Sequence, residues 1–386
     1  MRVLAALSGG VDSAVAAALA VEAGHDVTAV HMALSQTPQS CRLGARGCCS
    51  IEDSEDAARA AEIIGIPYYV WDLSEEFEER VISDFLAEYR AGHTPNPCVR
   101  CNEFVKFREL AERARALGFD AVCTGHYAKR VDTDGGPELH RAADEGKDQS
   151  YVLAVMGSDE LERVLLPLGE APSKAWVREQ AEARGLGVSN KPDSFDICFI
   201  PDGDTAGFLR RNLGEEPGKI IDSDGEVVGE HLGAHQFTVG QRKGLRLGRP
   251  AADGKPRYVL STDPGTNTVV VGPGTLLSVD RLRGEDAVFY VPESELVVDE
   301  VAQATFGPAL DERAFAEVPS DVFTVQIRAH GTPSVVRDIR VSEGTLEVDL
   351  AQSVRGVAAG QSLVLYKGTR VVAEATIVEA SRSQGT

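Results

Sequence analysis

Two cysteines stand three apart in HTPNPCVRCNEFVKF, residues 93–107, where a Pro- and Asn-rich turn runs into a helical pattern. A Cys-x-x-Cys suits half of a zinc site, a redox dithiol, a corner of an iron–sulfur cluster or a reactive thiol with a neighbour, and the pair alone does not choose among them. A second chemical signal is LSGGVDS, residues 7–13. Gly9 and Gly10 can take positive φ and bring backbone N–H groups to an anion at the head of a helix. The stretch lacks the Lys-Ser/Thr ending of a Walker A loop and the three-glycine spacing of a dinucleotide fingerprint. Phosphate cradle and plain glycine turn are both open on these residues alone.

The elements around these groups set where they would sit. RVLAAL (2–7) is a short apolar run that stops at Ser-Gly-Gly, and VDSAVAAALAVEAG is an Ala-rich helix closed by Gly24. The alternation continues with DVTAVHMAL as a strand, SIEDSEDAARAAEIIG as a helix and IPYYVWDL as a strand. Helices around 75–90 and 103–117 and the strand DAVCTGH follow. This is the pattern of a doubly wound α/β parallel sheet with helices on both faces, and its glycine turn falls where such sheets bind ligands. Near residue 200 the texture turns Gly- and Asp-rich with little helical periodicity. From about 285, FTVQIRAHG, SVVRDIRV, TLEVDLA, SLVLYKG and RVVAEATIVEA are short, β-branched and divided by turn residues, which predicts a small antiparallel barrel or sandwich. The expected blocks are 1–200, 201–284 and 285–386.

Composition narrows the class. No apolar run approaches the ~20 residues of a bilayer span, and Ser8, Gly9, Gly10 and Asp12 break the apolar start, so neither a membrane segment nor an ordinary signal peptide is expected. Seven cysteines, an odd number, do not form a secreted disulfide framework, so a reducing, cytoplasmic setting is expected. The formal net charge of −21 opposes nonspecific binding to a polyanion such as DNA, leaving local basic surface to attract any nucleic acid. Two such regions are Arg100, Lys106, Arg108, Arg113, Lys129 and Arg130, and Arg242, Lys243, Arg246 and Arg249.

The full Ser8-Gly9-Gly10-Val11-Asp12-Ser13 resembles the pyrophosphate loop of the N-type ATP pyrophosphatases. That resemblance implies cleavage of ATP between its α and β phosphates, with the segment Ala6, Leu7, Ser8, Gly9, Gly10, Val11, Asp12 and Ser13 holding phosphates and Asp12 orienting the loop or helping to hold Mg2+. Six further stretches follow in one order: GCCSIEDSEDA (47–57), TPNPCVRCNEFVKF (94–107), TGHYA (124–128), KDQSYVL (147–153), DICFI (196–200) and GQRKGL (240–245). Together they are similar to the tRNA-specific 2-thiouridylases over about two thirds of the chain.

The family resemblance implies a nucleophile at Cys101 and a persulfide at Cys198, whose terminal sulfur displaces AMP from an adenylylated uridine C2 at the wobble position. A Cys101–Cys198 disulfide would then be reopened by a reductant. It implies adenosine contacts by Met32 and Gly125, and tRNA contacts by His126, Lys147, Asp148, Gln149 and Gln361. It also implies a partner protein that supplies the persulfide sulfur. One position departs from the family, which often has an acidic residue where this chain has Cys98. Either the backbone of Asn96, Pro97 and Cys98 cradles the uracil, or Cys98 joins Cys101 and Cys198 as an iron–sulfur corner. Zinc fits less well, because a closed four-ligand site would silence the nucleophile. The segment near QIRAHG is degraded relative to the family, leaving Arg328 a weak candidate for docking. Cys48 and Cys49 have no assigned role, and Cys41 and Cys123 are read as packing residues. A different ligase of the N-type pyrophosphatase class is the alternative, although it has no use for Cys101 and Cys198.

Overall fold

A computed structural model of the chain describes residues 1–35, 51–192, 197–248, 253–306 and 317–383. Cys41, Cys48, Cys49, Ser50 and Arg249 lie outside these described residues. The N-terminal part is built on strands β1 (Arg2–Ala6), β2 (Asp26–Ala33), β3 (Tyr68–Asp72) and β4 (Ala121–Cys123), with Val164–Leu165 at the far edge. All neighbours are parallel and the order is β3-β2-β1-β4 followed by Val164–Leu165. β1 is apolar throughout its buried length because both faces are covered. Val3, Ala5 and Leu7 pack into one cluster, while Leu4 and Ala6 pack into another with Leu110 and Ala114. The helix α1 (Val11–Glu22) is buried around most of its girth, and its run of alanines lets it lie close to the sheet. The helix α2 (Ile51–Ile64) buries Ala57, Ala60 and Ala61 against the same core.

The chain order reverses between β2-β1 and β4, so the ligand crevice of this sheet opens beyond the C-terminal end of β1, where residues 7–13 turn into α1. The expected parallel sheet is therefore present, with its glycine loop at the switch point. A four-stranded sheet follows, in which Thr268–Pro273 lies between Arg257–Asp263 and Gly218–Asp222, and Val227–His231 completes the edge.

The C-terminal strands close a six-stranded antiparallel barrel in the order Ser278–Phe289, Thr345–Arg355, Ser334–Ser342, Phe323–Gln326, Ser362–Lys367 and Arg370–Ser381. The last pairs back onto the first. Between barrel and sandwich, the sequence-level alternatives, the structure selects the barrel. Its strand Ser278–Phe289 runs across position 284, where the change of texture placed a boundary. A hairpin from the first part of the chain, Lys129–Thr133 with Gly136–His140, joins the barrel sheet where Arg370 lies opposite His140.

Candidate active site

The glycine loop takes its shape from close approach. Gly9 has φ +78, and a Cβ there would lie 2.2 Å from the Asp53 carbonyl oxygen, so only glycine fits. Gly125, arriving from the end of β4, has no room for a Cβ either, because it would lie 2.6 Å from the Ser13 amide nitrogen. The loop is braced internally: the Ser8 N–H donates to Ser13 Oγ at 3.1 Å, and the Ser13 hydroxyl donates to the Gly10 carbonyl at 3.1 Å. Gly10 caps α1 without a side-chain acceptor, which leaves the first N–H groups of that helix directed at the crevice. Ala6, Leu7 and Val11 are buried, so what they can offer an anion is backbone.

Two lysines that sequence reasoning missed converge on this loop. Lys174 Nζ donates to both Asp12 carboxylate oxygens, at 2.8 and 2.6 Å, and the Tyr127 hydroxyl donates to Asp12 Oδ1 at 2.6 Å. Lys191 Nζ meets the Gly9 carbonyl together with Asp53 and Asp56. Asp53, in the first turn of α2, is thus an ion-pair partner of Lys191. Neither lysine sits in a glycine-rich or cysteine motif, and each reaches the loop from more than 160 positions away, so no local pattern flags it.

Two of the cysteines, Cys101 and Cys198, are brought to one apolar cluster. Asn96 caps the helical stretch that starts at Pro97, its side-chain oxygen accepting from the Cys98 N–H at 3.1 Å, with proline at the first helical position. The stretch Cys101–Glu109 continues as a wider π-type helix before Leu110–Ala116. Cys98 on this turn is exposed, whereas Cys101 is buried in an apolar cluster with Leu34, Leu73, Phe77 and Val105. Cys198 and Phe199 pack against that same cluster, as does Met32 at the end of β2. The Phe199 ring is held edge-on by Phe77 and Phe85, at centroid separations of 6.0 and 5.2 Å, which anchors the residue next to Cys198. Cys123 is different: burial pushes its thiol up to about 12, and it donates to the Ala16 carbonyl, as befits a packing residue.

Among the described residues no group of three His, Cys, Asp or Glu side chains is placed to hold a metal ion. Cys98, Cys101 and Cys198 therefore do not fit an iron–sulfur corner in this arrangement. Asp12 is the acidic side chain of the glycine loop, and its oxygens already accept from Lys174 and Tyr127, so a Mg2+ placed here would draw its ligands mainly from a bound phosphate.

The residues matched to tRNA contacts fall into three settings. His126 is crowded, and burial first, then the Lys106 charge, hold its imidazole pKa well below the usual 6.5, so the ring is neutral at pH 7. Lys106 Nζ lies 3.5 Å from Nε2, and since an ammonium only donates, Nε2 accepts and Nδ1 donates to Thr124 Oγ1 at 2.9 Å. Gln149 is cross-braced to Tyr127, accepting from its N–H at 2.9 Å and donating its own N–H to the Tyr127 carbonyl at 2.7 Å. The Asp148 carboxylate is interior, accepting from Arg141 at 3.0 Å, from the Ala142 N–H and from Ser150. The side chain is thus spent inside the fold, on the turn between Lys147 and Gln149. Arg141 also donates to Gln326 and stacks on Tyr366 of the barrel. Gln361 donates to the Thr94 carbonyl, tying the barrel to the loop that carries Asn96, Pro97 and Cys98.

The basic regions differ from the sequence picture. Arg100 pairs with Asp84 and Glu103, Arg113 with Glu76 and Glu109, Lys129 with Glu170 and Arg130 with Asp132, so the first region is largely neutralised. Arg242, Lys243 and Arg246 are exposed and have no carboxylate at ion-pair distance among the described residues. Arg328 donates to the Gly356 carbonyl.

Residues 1–202 match the family model described as the tRNA methyl transferase HUP domain. Residues 206–273 match the tRNA methyl transferase PRC-barrel domain, and 315–377 the aminomethyltransferase beta-barrel domain. A Beutenbergia cavernae protein named tRNA-specific 2-thiouridylase MnmA is 58% identical, over 99% of this chain and 96% of that protein. Proteins of the same name from Kocuria rhizophila and an Arthrobacter species are 59% and 57% identical. They cover 98% and 100% of this chain and 97% and 99% of their own lengths.

Proposed function

This chain belongs to the family of tRNA-specific 2-thiouridylases, and on that premise we propose that it replaces the C2 oxygen of the tRNA wobble uridine with sulfur at the expense of ATP. The observation that carries the reading is the meeting of Cys101 and Cys198 on one apolar cluster that Met32 shares, at the ligand end of a sheet whose first turn is the Ser8–Ser13 loop.

The chemistry needs both parts. Uridine C2 carries a poor leaving oxygen, so its O2 first attacks the α phosphate of ATP, expelling pyrophosphate and leaving an AMP ester equivalent. The Ser8–Ser13 loop, with the N-terminus of α1, receives the negative charge of the pyrophosphate. Gly125 closes over the loop, and Met32 and Gly125 take the adenosine. The terminal sulfur of a Cys198 persulfide then attacks C2 and AMP departs. Cys101 attacks the Cys198 sulfur, which releases the thio group on the base and forms the Cys101–Cys198 disulfide, and a reductant returns both thiols by adding two electrons. Mg2+ accompanies the ATP phosphates and screens their charge. The sulfur comes from a persulfide-carrying partner protein, and we place the enzyme in the cytoplasm with its tRNA. No helix among the described residues is long and apolar enough to cross a membrane.

Within this reading, Asn96, Pro97 and Cys98 present backbone to the target base, while His126, Lys147, Asp148, Gln149 and Gln361 shape the surface against which tRNA docks. Block 1–200 is assigned the nucleotide chemistry, and blocks 201–284 and 285–386 the docking of tRNA. Methyl transfer, which the wording of the family model would suggest, has no use for a pyrophosphate loop or two clustered cysteines. The test is nucleoside mass spectrometry of unmodified tRNA incubated anaerobically with ATP, Mg2+, a persulfide donor and iron-free protein. Thiouridine is the expected product from wild type, and Cys198→Ser should release pyrophosphate in a tRNA-dependent way without forming it. Thiouridine formed at the wild-type rate by Cys198→Ser would remove the persulfide assignment.

A further inference from the structure

Lys191 is outside every motif that pointed to function, yet its ammonium has three acceptors for its three protons: the Gly9 carbonyl at 2.9 Å, Asp53 Oδ1 at 2.7 Å and Asp56 Oδ2 at 2.7 Å. Its backbone is pinned as well. The Lys191 N–H donates to the Val188 carbonyl at 3.0 Å, and Arg178 Nη1 donates to the carbonyls of Ser189 and Lys191 at 2.6 and 2.9 Å. The ammonium is therefore a fixed point on one side of the glycine loop.

What it fixes is a peptide plane. The described chain has no cis peptide bond, so the Gly9 C=O and the Gly10 N–H point in opposite directions. Holding the carbonyl toward Lys191 turns the Gly10 N–H away from it, at the head of α1. Glycine at both positions leaves that plane intrinsically free to rotate, so an external constraint is needed to keep the donor aimed. The same ammonium offsets the charge of Asp53 and Asp56, which would otherwise face an incoming polyanion from behind the loop.

We propose that Lys191 is a positioning residue for phosphate binding: by holding the Gly9 carbonyl it keeps the Gly10 N–H aimed at the pyrophosphate part of ATP. The proposal rests on the reading of Ser8–Ser13 as a phosphate loop, and the experiment separates the two. Calorimetric titration of the full chain with ATP, inorganic pyrophosphate and adenosine is carried out on wild type, Lys191→Met and Lys191→Arg. Loss of a charge-assisted hydrogen bond corresponds to about tenfold or more in affinity. Lys191→Met should lose that much for ATP and for pyrophosphate while binding adenosine like wild type, which also certifies its fold, and Lys191→Arg should recover most of the loss. Adding Asp53→Asn and Asp56→Asn to Lys191→Met should leave ATP binding weak. Recovery in that triple variant would reduce Lys191 to a charge-balancing role and overturn the proposal. Unchanged ATP affinity in Lys191→Met, or equal losses for adenosine and pyrophosphate, would overturn it too. A wild-type protein whose ATP binding pyrophosphate did not compete would instead remove the phosphate-loop reading, and this inference with it.

Discussion

Replacing Glu374 by glutamine should stabilise the protein in alkaline but hardly in acidic solution. Glu374 sits on the barrel strand Arg370–Ser381, 3% exposed, and lines a small cavity with Asn96, Val99, Arg100, Glu103 and Asp286, directly behind the helix that carries Cys98 and Cys101. Burial pushes its carboxyl up to about 7; the Ser362 hydroxyl and Arg100 pull against that, and Glu103 and Asp286 add to it. An acid whose folded pKa lies above its unfolded one holds its proton more tightly when folded. The folded state is therefore at no disadvantage below pH 4.5, loses ground between 4.5 and about 7, and pays a constant penalty above that. The rise from 4.5 to about 7 at about 1.4 kcal/mol per unit makes the full penalty about 3 kcal/mol, most of which develops between pH 5 and pH 8.5. Glutamine has the same shape and cannot ionise. Urea unfolding of wild type and Glu374→Gln, followed by far-UV circular dichroism at both pH values, should give a difference in stability that grows by about 2.5 kcal/mol toward pH 8.5. An equal difference at both pH values would refute the placement of an ionisable carboxyl in that cavity.

Gly125→Ala drives a methyl to within 2.6 Å of the Ser13 backbone, so it should abolish ATP binding, and equilibrium dialysis showing wild-type affinity would contradict the loop packing. Cys101→Ser should stop thiouridine formation while leaving ATP binding intact, read by single-turnover assay beside nucleotide titration. Lys174→Ala leaves Asp12 with Tyr127 as its side-chain partner among the described residues; it should cost about 1–3 kcal/mol of stability, checked by thermal melting, because the pair is partly exposed. Arg242→Gln with Lys243→Gln removes two exposed cations, so tRNA binding should weaken and the slope of log K against log salt should fall by about 1.5.

Much of the architecture is local enough to be read from sequence. The strands and helices of residues 2–123 follow from short apolar runs bounded by turn residues, such as β1 buried on both faces and the Ala-rich α1, and the glycine turn at 8–13 follows from the demand for positive φ at a strand-to-helix junction. The β-branched runs after 320 became barrel strands for the same reason. The strand Ser278–Phe289 was harder to see, because only two of its residues are fully buried and alternation is blurred by charged side chains. The hairpin 129–140 gave no hint that it would extend the barrel sheet, since a two-strand pattern says nothing about which edge it will meet.

The sequence by itself determined which chemistry was on hand: a glycine loop able to receive phosphate, cysteines at 98, 101 and 198, and a parallel sheet to aim the loop. Only the tertiary structure decided which of these groups meet. It seated Cys101 and Cys198 on one cluster, set Lys174 on Asp12 and Lys191 on Gly9, sank Asp148 beneath Arg141, and paired off the arginines near Cys101 while leaving Arg242 and Lys243 open. Such encounters depend on how helices and sheets pack across long chain separations, where the free energy of burying a face selects the partner and the local pattern carries no record of it.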